Sequence, residues 1–464
     1  MPINSFDNYP MSWKPSLTPG GDPLYIAIAK RLEEDIRSGT LAPGTKLPPQ
    51  RELADYLDVN LSTISRALKR CEQKGIICSS VGSGTFVSSD VAVNTVLLPD
   101  REGPGRIELG AIFPDPYANG DVARYVQKMT AEPDFGRLFQ YGLPDGTQWQ
   151  KEAAVSWIGR SGYRPAPHSI LLGAGGQNAI AAVLAGLFRP GDRIGVDSLT
   201  YPGVKTAATM LGIQLVALGE ISEDSVRFAC KSVPLKGLYL IPDYHNPTTN
   251  TMPPDMRQRI ARAAEELDLL IIEDAINGML REAPLPPIAS FAPDHTIHIA
   301  SLSKSILPGL RLSFIAVPER CRKPLLVTLY NINIAVSPIL AELAARMIQD
   351  GTADTILQKR RAYSRMQNEV VNRHLAGFPV HGDPECNFRW LLLPEHFTGE
   401  SFELCAYHAG VQVYAAERFA VGNEKPPRAV RLAVTAPKNR EELSEAVGIL
   451  RSLLEQDVDD ERMY

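Results

Sequence analysis

From Leu24 to Ile36 the apolar residues Leu24, Ile28, Leu32 and Ile36 recur at helical spacing, and Gly39 and Pro43 interrupt the pattern. The spacing predicts an amphipathic helix. Pro48 and Pro49 then open a second short helix, RELADYL, and the stretch from Asp58 to Leu61 separates it from a third, STISRALKRCEQKG, ended by Gly75. Two helices across a tight break predict a helix-turn-helix. After Gly75, IICSS and TFVSS flank the turn VGSG and alternate as the strands of a hairpin do, which makes the unit a winged variant. Residues 89–104 are polar, punctuated by proline and glycine around one apolar patch, and read as a linker. From Ser169 the pattern changes. Apolar strands alternate with helical stretches: SILLGAGG then QNAIAAVLAGLF, DRIGVDS then GVKTAATMLG, GLYLIPD then MRQRIARAAEELD, then LLIIED and TIHIASLS. This is the signature of βα units on a mostly parallel sheet, where ligands bind beyond the carboxyl ends of the strands. The organisation expected is an arm over 1–20, a winged helix over 21–88, a linker over 89–104 and an α/β domain over 105–464.

The chain of 464 residues is longer than one core usually covers, in keeping with a small unit joined to a large one. With 44% hydrophobic and 22% charged residues it reads as globular, and it contains no unbroken apolar run near the roughly 20 residues that span a bilayer. No membrane partner is expected. The opening MPINSFDNYPMSWKPSLTPGG lacks a basic start and an apolar stretch, so a cytoplasmic location is expected. The six cysteines are scattered without a C-x-x-C, which gives no metal or disulfide signature. The net charge of −5 does not announce nucleic acid, but a large acidic unit can mask a small basic face. Between Asn60 and Gly75, Arg66, Lys69, Arg70 and Lys74 outweigh Glu72, so the third helix is cationic. Such a helix suits the major groove of double-stranded DNA. A solvated face in a protein-interaction module is the bland alternative; the attached wing argues for DNA.

In the α/β region, Lys304 follows the apolar strand TIHIASL, at a strand's carboxyl end in a desolvated setting that lowers an amine pKa. Its context SLSKSILPGLR adds Ser301, Ser303 and Arg311, whose hydroxyls and guanidinium suit phosphate oxygens. Gly175, Gly176 and Gln177 stand between a strand and a helix, where backbone N–H groups hold phosphate. Asp274 ends the strand DLLIIED, Asn246 lies in PDYHNPTTN after another strand, and Tyr201 in LTYPG follows a third. Taken one at a time, each has an ordinary reading: a surface lysine, a Gly-Gly turn, an acid capping a loop, an Asn-Pro turn, a packed tyrosine. Together they supply what pyridoxal 5′-phosphate needs, namely a Schiff-base lysine, an acid to keep the pyridine nitrogen protonated, an amide for the ring oxygen, a stacking ring and a phosphate cradle.

The stretch from Pro23 to Val87, with LAPGTKLPPQRELA as its most specific part, resembles the GntR-type winged helix along its whole length. The resemblance implies DNA contacts from Arg51, Ser62, Thr63, Ser65 and Arg66, with Gly82 to Gly84 at the wing tip; many relatives carry Arg where Leu61 stands, which bears on base preference. The ordered segments over roughly 106–450, YGLPDGTQWQKEAAVSWI included, resemble fold-type I aminotransferases. That resemblance implies Lys304 as the Schiff-base lysine, Asp274 at the pyridine nitrogen, Asn246 at the ring oxygen, Arg431 of VRLAV on a substrate carboxylate, and a homodimer in which Tyr141 reaches the neighbouring subunit's cofactor. Relatives place a tyrosine two or three residues after the ring-nitrogen aspartate; here Ile276 and Asn277 occupy those positions, and the Asn277 amide is the expected replacement donor. The two halves together resemble the MocR subfamily of regulators. Its function implies a regulator whose aminotransferase-like domain senses an amino acid, an amine or the cofactor itself. The alternative is a genuine aminotransferase with an accessory DNA-binding head.

Overall fold

The protein is described here from a computed structural model, over residues 11–17, 23–37, 40–41, 45–73, 76–80, 84–87, 106–114, 119–422 and 424–455. The expected linker and Gly82 lie outside these residues.

The head contains α1 (Leu24–Arg37), α2 (Gln50–Leu57), α3 (Leu61–Gln73), β1 (Ile77–Ser80) and β2 (Gly84–Val87). Ile28, Leu32 and Ile36 are buried against Leu53, Ile64, Leu68 and Val87, so the predicted stripe is the core face of α1. Leu24, at the first residue of that helix, remains exposed. β1 and β2 pair antiparallel with Ile77 opposite Val87, and the chain before α2 adds an edge to this wing: the Leu47 N–H donates to the Thr85 carbonyl at 2.8 Å and the Val87 N–H to the Thr45 carbonyl at 2.9 Å.

One boundary differs from the sequence expectation. Residues 11–17, expected as an arm outside the head, pack into it: Trp13 is 4% exposed within the head's core, its indole N–H donates to the Asp35 carboxylate at 2.9 Å, and Arg31 pairs with the same acid. The buried carboxylate is thereby satisfied from two sides. A lone tryptophan in a polar, proline-rich stretch carries no periodicity to reveal this.

The second unit contains, in chain order, β3 (Ile107–Glu108), α4 (Asn119–Thr130), α5 (Gln148–Gly159), β4 (Ile170–Gly173), α6 (Gly176–Leu187), β5 (Arg193–Val196), α7 (Pro202–Leu211), β6 (Gln214–Ala217), α8 (Glu223–Ser232), β7 (Leu235–Leu240), α9 (Pro254–Glu266), β8 (Leu270–Asp274), β9 (Thr296–Ser301) and β10 (Ser313–Ala316). Among the described residues the main sheet has the order β4-β10-β9-β8-β7-β5-β6. It is parallel except for β10, which runs antiparallel to both β4 and β9. The near-continuous apolar runs of these strands follow from burial on both faces. Tyr239, Ile272, Ile297 and Ile299 pack towards α6 and α7, while Leu238, Leu240 and Ile271 pack towards α8 and α9.

The chain continues through α10 (Glu319–Asn333), α11 (Pro338–Gln349) and α12 (Thr352–His374) into a smaller layer of β11 (Val380–His381), β12 (Arg389–Leu392), α13 (Gly399–His408), β13 (Val411–Gln412), β14 (Tyr414–Ala415), β15 (Ala429–Leu432) and α14 (Arg440–Leu454). Here β11-β12-β15-β14 form an antiparallel sheet backed by α13 and α14, and β13 pairs with β3. Residues 106–114 thereby join the smaller layer and run across the mouth of the main sheet. No helix among the described residues is long and apolar enough to cross a membrane.

Replacing Trp13 with Ala is expected to destabilise the head by about 3 kcal/mol, the cost typical of emptying a buried aromatic site. Calorimetry of the full chain would read this as a lowered head transition; an unaltered transition would mean that residues 11–17 contribute nothing to it.

Candidate functional site

The site is assembled at the carboxyl ends of β4, β8 and β9, as the βα pattern predicts. On one side the chain leaves β4 through Ala174 and Gly175 into the N-terminus of α6. Gly175 has φ 91°, a conformation that strains other residues, and a Cβ there would come 2.5 Å from Arg311 Nη2. A Cβ on Gly176 would meet the Ser301 side chain at 3.3 Å. The two glycines therefore let the helix start approach Ser301 and Arg311 closely. Free N–H groups of that first turn face the same space as the Ser301 and Ser303 hydroxyls, which lie 3.4 Å apart. Arg311 holds a left-handed backbone conformation, φ 44°, and its guanidinium makes only long contacts, 3.5 Å each, to Ser303 Oγ and the Ala174 carbonyl. Among the described residues, none of its partners is a carboxylate. A cationic fork left without an anion beside a helix N-terminus is suited to phosphate.

Lys304 lies one residue beyond Ser303, and its amine donates to the Ile112 carbonyl on the crossing segment. Burial pushes its pKa down to about 7, helped by the positive charges of Arg431, Arg311 and Arg360. The amine is therefore substantially neutral, and nucleophilic, near neutral pH. On the opposite wall Asp274 is 4% exposed, and burial pushes its pKa up to about 6, partly offset by the Tyr239 hydroxyl, the Ile276 N–H and the charge of His298. The Tyr239 hydroxyl donates to Asp274 Oδ2 at 2.8 Å and the Ile276 N–H to Oδ1 at 3.3 Å. Next to it in sequence, Glu273 faces the other side of the strand, where it accepts from the Ile288 and Ala289 N–H groups and lies 2.9 Å from His298 Nδ1.

Arg431 stands in β15 at 5% exposure, walled by the rings of Phe419, Tyr414 and Phe388. Its Nη1 donates to Asn246 Oδ1 and its Nη2 to the Gly110 carbonyl, each at 2.5 Å, and its Nε has no partner among the described residues. Burial lowers its pKa to about 10. A buried guanidinium held only by neutral oxygens is poised for a carboxylate. The same bond ties Asn246 to Arg431, so the two residues expected separately form one unit. Tyr201 caps α7 between these walls; burial pushes its phenol up to about 12, and Asp274 adds to the shift while Arg431 and Arg311 oppose it. Gln177 turns its amide to the Gly203 carbonyl at 2.8 Å, with its own oxygen unpartnered.

Two expected site residues stand apart from this cleft. Tyr141 is 89% exposed, so on its own subunit it touches nothing in the site. Asn277, expected as the donor replacing a tyrosine, is buried and spends an amide N–H on the Tyr244 carbonyl at 3.0 Å, so it secures the loop that carries Asn246. Sequence reasoning missed Tyr239, Tyr414, Phe419 and the crossing segment with Gly110 and Ile112; a tyrosine inside an otherwise aliphatic strand was the one available signal.

In the head, the residues expected at DNA lie on or beside the open face of α3. Arg51, Ser62 and Arg66 are exposed, and Thr63 and Ser65 are half-buried. Asn60 Oδ1 accepts from the Ser62 N–H and hydroxyl, both at 2.9 Å, and so caps α3. Ser65 donates to Gln50 Oε1 at 2.7 Å, which fixes α3 against α2. The Arg66 guanidinium lies 4.4 Å over the Tyr25 ring. Gly84, at φ 116°, starts β2 of the wing.

Two family profiles match the chain: bacterial regulatory proteins of the gntR family over residues 24–87, and aminotransferase class I and II over residues 113–450. The HTH-type transcriptional regulator YdeF of Bacillus subtilis is 52% identical over 98% of this chain and 99% of its own. The pyridoxine biosynthesis transcriptional regulator PdxR of Corynebacterium glutamicum is 25% identical over 76% of this chain and 80% of its own. Among solved structures, the kynurenine aminotransferase of Pyrococcus horikoshii superposes with a TM-score of 0.71 at 20% identity, covering 77% of this chain and 92% of that one, which establishes the fold of the second unit. With a GntR head and an aminotransferase body on one polypeptide, and near-full-length identity to an HTH-type regulator, the chain belongs to the MocR-type GntR transcription regulators.

Proposed function

We propose that the cleft around Lys304 holds pyridoxal 5′-phosphate and that an amino acid or amine entering it changes how the winged helices engage double-stranded DNA. The observation that carries this reading is the buried Arg431, which has neutral partners only and faces the same space as an amine whose pKa is about 7. Lys304 would anchor the cofactor, Arg311, Ser301, Ser303 and the N–H groups of Gly175, Gly176 and Gln177 would take its phosphate, Asp274 its pyridine nitrogen and Asn246 its ring oxygen, with Tyr201 against its ring. Bound there, the cofactor supplies an electrophilic carbon for amines and an electron sink. Arg431 would orient the effector's carboxylate, and residues 106–114 would keep water from the cleft. An effector shifts the regulator only by binding one of its states better than the other.

The proposal includes a homodimer. Phe139, Tyr141 and Leu143 are exposed apolar residues, and Gly142 between them lies against Pro338 and Ala335, beside the exposed Ile332 and Ile334. Such a contiguous apolar face fits a second copy of this chain, with the partner's Tyr141 completing the site. Turnover as an aminotransferase is the second reading, favoured by the completeness of the set Lys304, Asp274, Arg311 and Arg431. Sustained transfer between an amino donor and a keto acid would support it, and loss of retention on the chain's own upstream DNA would remove the regulatory one.

Lys304→Ala is expected to abolish the borohydride-stable cofactor adduct while the protein stays folded; an unchanged visible spectrum would refute the assignment. In the wild-type chain, attack on the aldehyde requires the neutral amine. Because the Lys304 pKa is lowered to about 7, the rate of adduct formation should rise with pH through a midpoint near that value. A rate still climbing steeply at alkaline pH would contradict the desolvated amine. Arg66→Ala should weaken specific and nonspecific DNA binding alike and reduce the salt dependence by about one ion; a loss confined to one operator position would assign Arg66 to base reading instead.

A further inference from the structure

We infer that Tyr239 is a positioning residue for the cofactor's ring nitrogen, acting through Asp274; this rests on the reading of the cleft given above. β7 and β8 run parallel with Tyr239 level with Ile272, and Ile272 and Asp274 share a face of the sheet because side chains alternate along a strand. The phenol is long enough to reach one step further along β8 than its own register partner. Its hydroxyl meets Asp274 Oδ2 at 2.8 Å.

Tyr239 is fully buried at the centre of the sheet among Ile272, Ile297 and other apolar side chains. A hydroxyl there is costly unless it is bonded, and Asp274 is the partner it has. Packing alone would be served by Phe. From the acid's side, the phenol is its short donor, the second being the Ile276 N–H at 3.3 Å on the other oxygen. Oδ2 is therefore occupied and the carboxylate plane pinned, while Oδ1 keeps capacity for a cationic N–H donor.

The bond also favours the ionised carboxyl against its burial. The groups facing Asp274 are Tyr239 from β7, the Ile276 N–H from its own chain turn and Tyr201 from the start of α7, while His298 of β9 acts by its charge from the Glu273 side of the strand. Of these, Tyr239 is the one that donates a side-chain hydrogen bond to it. Removing the hydroxyl leaves burial less opposed, so the carboxyl takes up its proton at higher pH. A neutral Asp274 no longer holds a protonated pyridine.

The test is the binding of pyridoxamine 5′-phosphate to the full-length, cofactor-stripped protein by titration calorimetry across pH; this probe carries the ring nitrogen but forms no covalent link to Lys304. Tyr239→Phe is expected to weaken binding about tenfold, and to move the acid limb of the affinity profile upward by about one pH unit. In an Asp274→Ala background the same change should have no further effect. A Tyr239→Phe protein with unaltered affinity and an unmoved acid limb overturns the inference, and so does an equal loss in both backgrounds, which would assign Tyr239 to packing. If the wild-type chain itself does not bind the probe, the reading of the cleft fails first; wild-type binding with an indifferent Tyr239→Phe removes this inference alone.

Discussion

Positive charge crowded around the Lys304 amine is the constraint on which the rest of the body depends. Lys304 shares its surroundings with Arg431, Arg311 and Arg360, and among the described residues Arg311 and Arg431 have no carboxylate partner. Such an arrangement is unfavourable until anions arrive. The protein meets the cost partly by neutralising the amine and partly by wrapping the guanidinium groups in carbonyl oxygens and aromatic faces. A dianionic phosphate at one end and a carboxylate at the other would balance these charges, so the arrangement of the guanidinium groups defines the preference of the cleft. Arg431 lies more than a hundred residues beyond Lys304 in the chain, so it is the fold that brings these two together.

Much of this was legible in the sequence, for identifiable reasons. The head's helices carry a strict 3.6-residue apolar stripe, and Ile28, Leu32 and Ile36 are buried as that stripe demands. The chemistry of the body is borne by local segments whose order constrains their meaning: Lys304, Ser301, Ser303 and Arg311 fall within eleven residues, so their convergence needs only one tight loop. What was not legible depends on register. That Tyr239 meets Asp274 follows from β7 and β8 being aligned at Tyr239 and Ile272, which no pattern along either strand states. Trp13 was hidden for a similar reason, since its partner Asp35 lies on a helix face that reads simply as solvated. Asn277 was placed by analogy of position, and its amide instead donates to the Tyr244 carbonyl.

The crossing segment connects the two levels of the molecule. Residues 106–114 follow the stretch that leads from the head, yet their carbonyls are held by the residues of the cleft: Gly110 by Arg431, Ile112 by Lys304 and Phe113 by Thr435. Glu108 stiffens the same stretch by accepting from the Gly110 and Ala111 N–H groups at 2.6 and 2.7 Å. A change of partner at Lys304 or Arg431 would therefore be felt directly by the backbone of this one short piece of chain.

The reversed strand β10 has a mechanical meaning. Because it returns alongside β9 with Ser313 opposite Ser301, the loop between them carries Lys304 and Arg311 as a closed hairpin clamped at its base by the main sheet. The spacing between anchor and counter-ion is thereby an internal dimension of one loop, insulated from tilting of the smaller layer that bears Arg431. A shift of the smaller layer would thus change the separation of Lys304 from Arg431 and leave that of Lys304 from Arg311 untouched.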